Sequence, residues 1–231
     1  MPTLDDHIGE VSSMKSMRRV ITEDASRFTH GAIYHALYDR PLAEARRLVV
    51  DLVPEGATVL DIACGTGELC FELGERKNCR VVGVDFSRRM IEFAQKRNRQ
   101  DRVRFVHGDG TDLSGIEPGA FDYATVLFLL HEVPRQIQVE VLNEASRIAR
   151  KVIVVDSHVP LPRNLHGIAL RLVEASGGPE HYRPFAEYLA AGGIGSILAD
   201  SRVGAPVSQR SVFWHGCREI VVLDGKAKTA V

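Results

Sequence analysis

Residues 58–67 read Thr58-Val59-Leu60-Asp61-Ile62-Ala63-Cys64-Gly65-Thr66-Gly67. The apolar positions Val59, Leu60 and Ile62 form a short strand that carries an acid, Asp61, and runs into a glycine turn at Gly65 and Gly67. The residues from Glu68 to Gly74 then suit an amphipathic helix. A strand, a glycine turn and a helix start make a cradle for a ligand, because glycine has no side chain to hold the backbone away from it. A dinucleotide fingerprint needs glycine or alanine three residues after Gly67, and Cys70 stands there. An acid ahead of the turn also suits a cationic ligand better than a pyrophosphate.

The same alternation continues downstream. A second strand, Arg80 to Val84, ends in Asp85, and a helix from Ser87 to about Asn98 follows with Ser87 as its N-cap. Val103 to His107 makes a third strand, ending in Gly108-Asp109. Phe121 to Leu129 makes a fourth, through Leu127, before a helix from Pro134 to about Arg150; Val152 to Asp156 makes a fifth. Strands alternating with helices predict an α/β fold with a doubly wound, mostly parallel sheet, whose ligands lie outside the carboxyl ends of the strands.

The chain is expected to be one domain. Residues 1–50 form a helical lead-in, 51–159 the nucleotide-binding core, 160–200 a helical insert and 201–231 a closing hairpin. The insert is opened by Pro160 and Pro162 and broken by Gly177-Gly178-Pro179. The hairpin runs from about Ala205 to Phe213, turns at Trp214-His215-Gly216 and returns from Cys217 to Leu223.

Composition narrows the function classes. With 231 residues and 45% hydrophobic content, the chain can bury a full core. Its 29 Lys plus Arg nearly balance 30 Asp plus Glu, which argues against a large nucleic-acid-binding surface. No apolar run is long enough for a membrane span, and the polar start from Met1 to Glu10 does not read as a signal peptide. The four cysteines lack metal or disulfide spacing and read as reduced thiols in a cytoplasmic protein. Monomer and homodimer both fit.

Asp61, Asp85 and Asp109 stand at the ends of the first three strands and are expected to face one crevice. Asp85, eighteen residues beyond Gly67, has the spacing at which an acid accepts from ribose hydroxyls. Asp109, before Gly110 and Thr111, is placed to accept from an exocyclic adenine amine. Asp61 is placed to support an ammonium group, and Phe86 and Met90 to wall an adenine ring. Each acid alone is an ordinary turn former. Loop, spacing and strand order together carry the reading.

On these motifs the chain resembles, from about Asp39 to Leu223, the class I S-adenosylmethionine-dependent methyltransferases, in particular the small-molecule branch that includes quinone-biosynthesis enzymes. The resemblance implies a Rossmann-like, seven-stranded sheet in the order 3-2-1-4-5-7-6 with strand 7 antiparallel. It implies S-adenosyl-L-methionine as cofactor, held by Ala63, Cys64, Gly65, Gly67, Gly108, Gly110 and Leu127 beside the three acids, and a small-molecule acceptor. Ala63 departs from the glycine usual in the family, which the fold tolerates if φ stays negative there. Tyr34, His35 and Tyr38 lie on the lead-in, which in similar enzymes folds over the cofactor; Tyr38 is its candidate contact.

Methyl transfer is a displacement at an activated carbon, so much of its catalysis comes from alignment and exclusion of water. A base is needed where the acceptor must lose a proton. His131 after the fourth strand and His158 after the fifth, with His215 from the hairpin turn, are expected to converge at the mouth of the crevice, and a neutral imidazole there suits a phenol or enol. A metal site from His131, Glu132, Asp156 and His158 is disfavoured, because hard cations favour oxygen ligands. His166, Arg171, His181, Tyr182 and Arg183 of the insert are candidates to meet the acceptor. The alternatives are a nucleic-acid methyltransferase, a non-catalytic S-adenosylmethionine-binding regulator and a nicotinamide oxidoreductase. Phe128-Leu129-Leu130-His131 lacks the Asp/Asn-Pro-Pro-aromatic motif of base-amine methylation, and Cys70 disfavours the last.

Overall fold

A computed structural model describes residues 31–200 and 202–226, with side chains from residue 42 onward. The strands are β1 (Thr58–Ile62), β2 (Arg80–Asp85), β3 (Val103–His107), β4 (Phe121–Leu127), β5 (Ala149–Ser157), β6 (Val207–Phe213) and β7 (Arg218–Asp224). The helices are α1 (Gly31–Leu52), α2 (Glu68–Lys77), α3 (Arg88–Arg97), α4 (Arg135–Ile148), α5 (Leu165–Ser176), α6 (Pro179–Ala191) and α7 (Gly193–Leu198). The sheet order is β3-β2-β1-β4-β5-β7-β6, as the resemblance implies. All pairs are parallel except β5–β7 and β6–β7.

Both faces of the central sheet are covered, so β1 is buried at every position and reads as a nearly continuous apolar run. On one face Val49 of α1 and Val53 just after it, Leu73 of α2 and Ile91 of α3 pack on Val59, Val81 and Ile153. On the other, Val141 and Leu142 of α4 and Ile194 and Ile197 of α7 pack on Leu60, Val82 and Val154. Outermost β6 is exposed along most of its length. A register shift at Val207/Gln209 and a charged side chain, Arg210, are features that blunt a free sheet edge.

Local chemistry sets where the elements stop. The Ser87 hydroxyl caps α3 by accepting from the Met90 N–H at 3.4 Å. Helix α2 runs past Gly74 to Lys77. A side chain on Gly74 would meet Gln100 Oε1 at 2.2 Å, so this glycine lets α2 lie close to the β3 layer. Strand β4 ends at Leu127, two residues before the expected Leu129, because Phe128 turns to φ 56°. Helix α4 stops at Ile148 rather than about Arg150, and β5 starts at Ala149, whose backbone already pairs with Phe121.

The insert folds back over the strand ends. Leu161, Leu170 and Phe185 pack with Cys217, Tyr182 and Trp214, joining α5 and α6 to the hairpin turn. Ser157 pairs with Arg218, so that turn lies at the carboxyl end of β5.

Candidate active site

Chain order reverses between β1 and β4, the two strands from which the sheet grows in opposite directions. A cavity of about 460 Å³ opens there, at the carboxyl ends of β1, β2 and β4. Its position and size suit a small-molecule site. Asp61, Ala63, Cys64 and Gly65 line it from β1 and its loop, and Asp85, Phe86 and Met90 from β2 and the start of α3. Gly110 and Leu127 complete the set of expected residues that reach it.

Asp85 organises the floor. One carboxylate oxygen accepts the Gly65 N–H at 2.8 Å, and the other accepts the Ser87 N–H at 2.7 Å. The loop after β1 is thus tied to the end of β2. Each oxygen keeps a lone pair for a hydroxyl donor, since a carboxylate offers about four acceptor sites. Burial raises the Asp85 pKa. The Cys64 N–H donates to the Val84 carbonyl at 3.1 Å, closing the loop against β2.

The two loop glycines do different things. Gly65, at φ +53°, has nothing within 4 Å of where a side chain would project. Gly67, at φ +84°, would place a side chain 2.5 Å from the Phe105 ring, and it does not line the cavity. Ala63 adopts φ 61°, not the negative φ expected of it. A left-handed alanine costs roughly 1–2 kcal/mol.

Asp61 is 3% exposed; one oxygen accepts from Thr125 Oγ1 at 2.6 Å and the other from Cys70 Sγ at 3.4 Å. Burial pushes its pKa up to about 6 against those two hydrogen bonds. A cation beside it would be matched by a carboxylate already fixed in place. The Asp109 carboxylate instead closes its own turn, accepting the Thr111 N–H at 2.9 Å and hydroxyl at 2.6 Å. Neither it nor Gly108 lines the cavity. The side chains of Tyr34, His35 and Tyr38 lie outside the described residues; farther along α1, Leu42 and Arg46 reach the cavity.

None of the three expected histidines lines the cavity. His131 is buried, with Nδ1 2.6 Å from Asp156 Oδ1. Burial opposes its charge, but Asp156, Glu132 and Glu174 outweigh burial and push its pKa up to about 9. That shift favours the imidazolium at neutral pH over the neutral base expected, and His131 does not line the cavity. His158 pairs with Glu219 at 3.5 Å, and His215 stacks on His166 with ring centroids 3.7 Å apart. Among the described residues no cluster of His, Cys, Asp and Glu is arranged to hold a metal ion.

Two features go beyond the sequence reading. Glu132, weighed there only beside His131 and as a metal ligand, lines the cavity past the end of β4. Arg218, buried at the start of β7, donates to Ser157 Oγ at 2.6 Å and stacks 4.9 Å from the Phe128 ring centroid. Phe128 thus has Arg218 against its ring and also lines the cavity. The signal for Arg218 was a charged pair, Arg218-Glu219, opening an apolar strand that had to be buried.

Known proteins resemble this arrangement. Residues 59–151 match the family described as "Methyltransferase domain". A demethylmenaquinone methyltransferase of Bacillus licheniformis is 30% identical over 145 residues, covering 59% of this chain and 61% of that protein. Its counterpart in Oceanobacillus iheyensis is 35% identical over 117 residues, covering 47% and 48%. The chain therefore spans about half to three-fifths of the length of the relatives it matches. Among solved structures, the PH0226 protein of Pyrococcus horikoshii superposes with a TM-score of 0.64 at 22% identity, covering 93% of this chain and all of that one.

Proposed function

We propose that this chain, which carries a class I methyltransferase domain similar to quinone-biosynthesis enzymes, transfers a methyl group from S-adenosyl-L-methionine to a small-molecule acceptor. The observation that carries the reading is the open Gly65 turn pinned to Asp85 inside the crevice at the strand-order reversal. These residues fit the cofactor. Asp85 would accept from the ribose hydroxyls, Phe86 and Met90 would flank the adenine, and Asp61 would face the cationic amino-acid portion. The vacant space over Gly65 is where backbone and ligand would touch.

When bound, the cofactor supplies a methyl carbon already activated by the sulfonium. The protein's part is to align the acceptor and exclude water. The apolar walls at Leu69, Leu127 and Phe128 do both. An aromatic, quinone-like acceptor follows from the named relatives and suits these walls. Near-neutral charge supports a small molecule over nucleic acid, and four free cysteines support a reducing compartment. No helix among the described residues is long and apolar enough to cross a membrane.

The direct test is turnover. Incubation with S-adenosylmethionine and reduced 1,4-naphthohydroquinone is expected to release S-adenosylhomocysteine with a matching methylated product. Transfer to neither this quinol nor a panel of phenols and amines, despite cofactor binding, would contradict the enzymatic reading.

A further inference from the structure

The cavity contains four carboxylates, and three are committed. Asp61 accepts from Thr125 and Cys70, Asp85 holds the loop through the Gly65 N–H, and Glu68 pairs with Arg97. Glu132 differs. Among the described residues no hydrogen bond engages its carboxylate, its side chain is 34% exposed, and it faces the cavity. Asp61 lies in β1 one residue before its end, Asp85 is the last residue of β2 and Glu132 lies in the turn after β4; these are three successive neighbours in the sheet. A ligand whose ribose lies at Asp85 and whose cationic part lies at Asp61 leaves Glu132 to face the acceptor.

Behind Glu132 stands a charged support. His131 Nε2 lies 4.0 Å from Glu132 and 3.8 Å from Glu174 of α5, and Glu174 lies 3.2 Å from His181 of α6. His131 Nδ1 is held by Asp156, which also accepts the Leu130, His131 and Ser157 N–H groups. This fixes the imidazolium ring, with its second nitrogen between two glutamates.

We propose that Glu132 is the catalytic base, which removes the proton of a phenolic or enolic hydroxyl on the acceptor, and that His131 and Asp156 position it. This rests on the methyltransferase reading above. The acceptor O–H bond breaks and its proton passes to a Glu132 oxygen. The released pair drives the acceptor oxygen, or its conjugated ring carbon, onto the methyl carbon. The methyl–sulfur bond breaks with its pair kept by sulfur. A carboxylate and a sulfonium are consumed together, so a low-dielectric site loses two charges at once. A neutral amine attacks without prior loss of a proton, so a carboxylate that faces the cavity with no hydrogen bond of its own among the described residues suits a hydroxyl acceptor.

The groups facing Glu132 are His131, His181, Glu174 and Asp156. Burial raises its pKa, the two histidines oppose the shift, and Glu174 and Asp156 add to it. The base is therefore stronger than an ordinary glutamate, and activity rises with pH as it ionises.

The test measures S-adenosylhomocysteine formation from reduced 1,4-naphthohydroquinone across pH, with S-adenosylmethionine saturating at each pH so that the Asp61 titration does not enter, beside calorimetric S-adenosylhomocysteine binding. Glu132→Gln is expected to cut turnover roughly 100-fold or more and remove the acid limb, with the binding constant within about twofold of wild type. His131→Gln is expected to move the acid limb to higher pH, because removing the cation raises the Glu132 pKa; a merely structural role would leave the limb in place. Glu132→Gln turnover above about a third of wild type, or an unmoved limb in both variants, would overturn the assignment. If wild-type protein fails to bind S-adenosylhomocysteine, the cofactor reading itself fails; if it binds and only the limb result fails, the base assignment alone falls.

Discussion

Gly65 and Gly67 both sit at positive φ, yet substitution there should separate binding from stability. Gly65→Ala meets no atom within 4 Å, so its folding cost is limited to left-handed strain of about 1–2 kcal/mol, while the methyl group projects where the ligand would approach. Gly67→Ala adds a clash with Phe105 and should cost about 3 kcal/mol or more. Urea unfolding and ligand titration of the two variants check this: Gly65→Ala should lose mainly affinity, Gly67→Ala mainly stability. Asp61 makes a second residue-scale prediction. Its pKa of about 6 means a cationic ligand binds the ionised form, so affinity should fall as pH drops below that value. The slope approaches tenfold per pH unit. Calorimetry from pH 7 to 5 reads it, and a flat profile would remove Asp61 from contact with the ligand's charge.

The insert and the strand ends act together at the scale of elements. Tyr188 of α6 donates to the buried Ser157 carbonyl at 2.9 Å, fastening the insert over β5. Tyr188→Phe should cost about 1–2 kcal/mol, because the carbonyl is left without that donor. His131 links the turn after β4 to Asp156 of β5 and Glu174 of α5. Its folded pKa lies above the ordinary 6.5, so its stabilising contribution is complete below pH 6.5 and is lost as pH rises through about 9. The stability difference between wild type and His131→Gln should therefore shrink over that window in urea unfolding. A difference that grows with pH would mean that His131 is neutral in the folded protein.

Across the whole molecule, alternation of strands and helices was legible because β1, β2 and β4 each carry a buried, mostly apolar stretch with glycine or proline breaks between them. Asp85 was legible because its spacing from the glycine turn is a local property of one strand–helix–strand unit. The chemistry past β4 was not. The charge on His131 depends on Asp156, 25 residues on, and on Glu174 from an insert whose packing no periodicity reveals. The left-handed backbones of Ala63 and Phe128 were hidden as well, because nothing in their residue types calls for positive φ and the surrounding sheet and loop bonds impose it. The α4–β5 junction failed for a related reason: Ala149 and Arg150 continue the helical pattern, and pairing with β4 overrides it.

The central claim is that the crevice at the β1/β4 reversal holds S-adenosylmethionine through the Asp85–Gly65 unit. Calorimetric titration of wild type and Asp85→Asn with S-adenosylmethionine, S-adenosylhomocysteine and NADH tests it most directly. Saturable binding of the two sulfur ligands, no response to NADH, and a loss of roughly tenfold or more in Asp85→Asn are expected, since the amide is a poorer acceptor for hydroxyls and for the Gly65 N–H. Binding of NADH alone, or sulfur-ligand binding unaffected by Asp85→Asn, would contradict it.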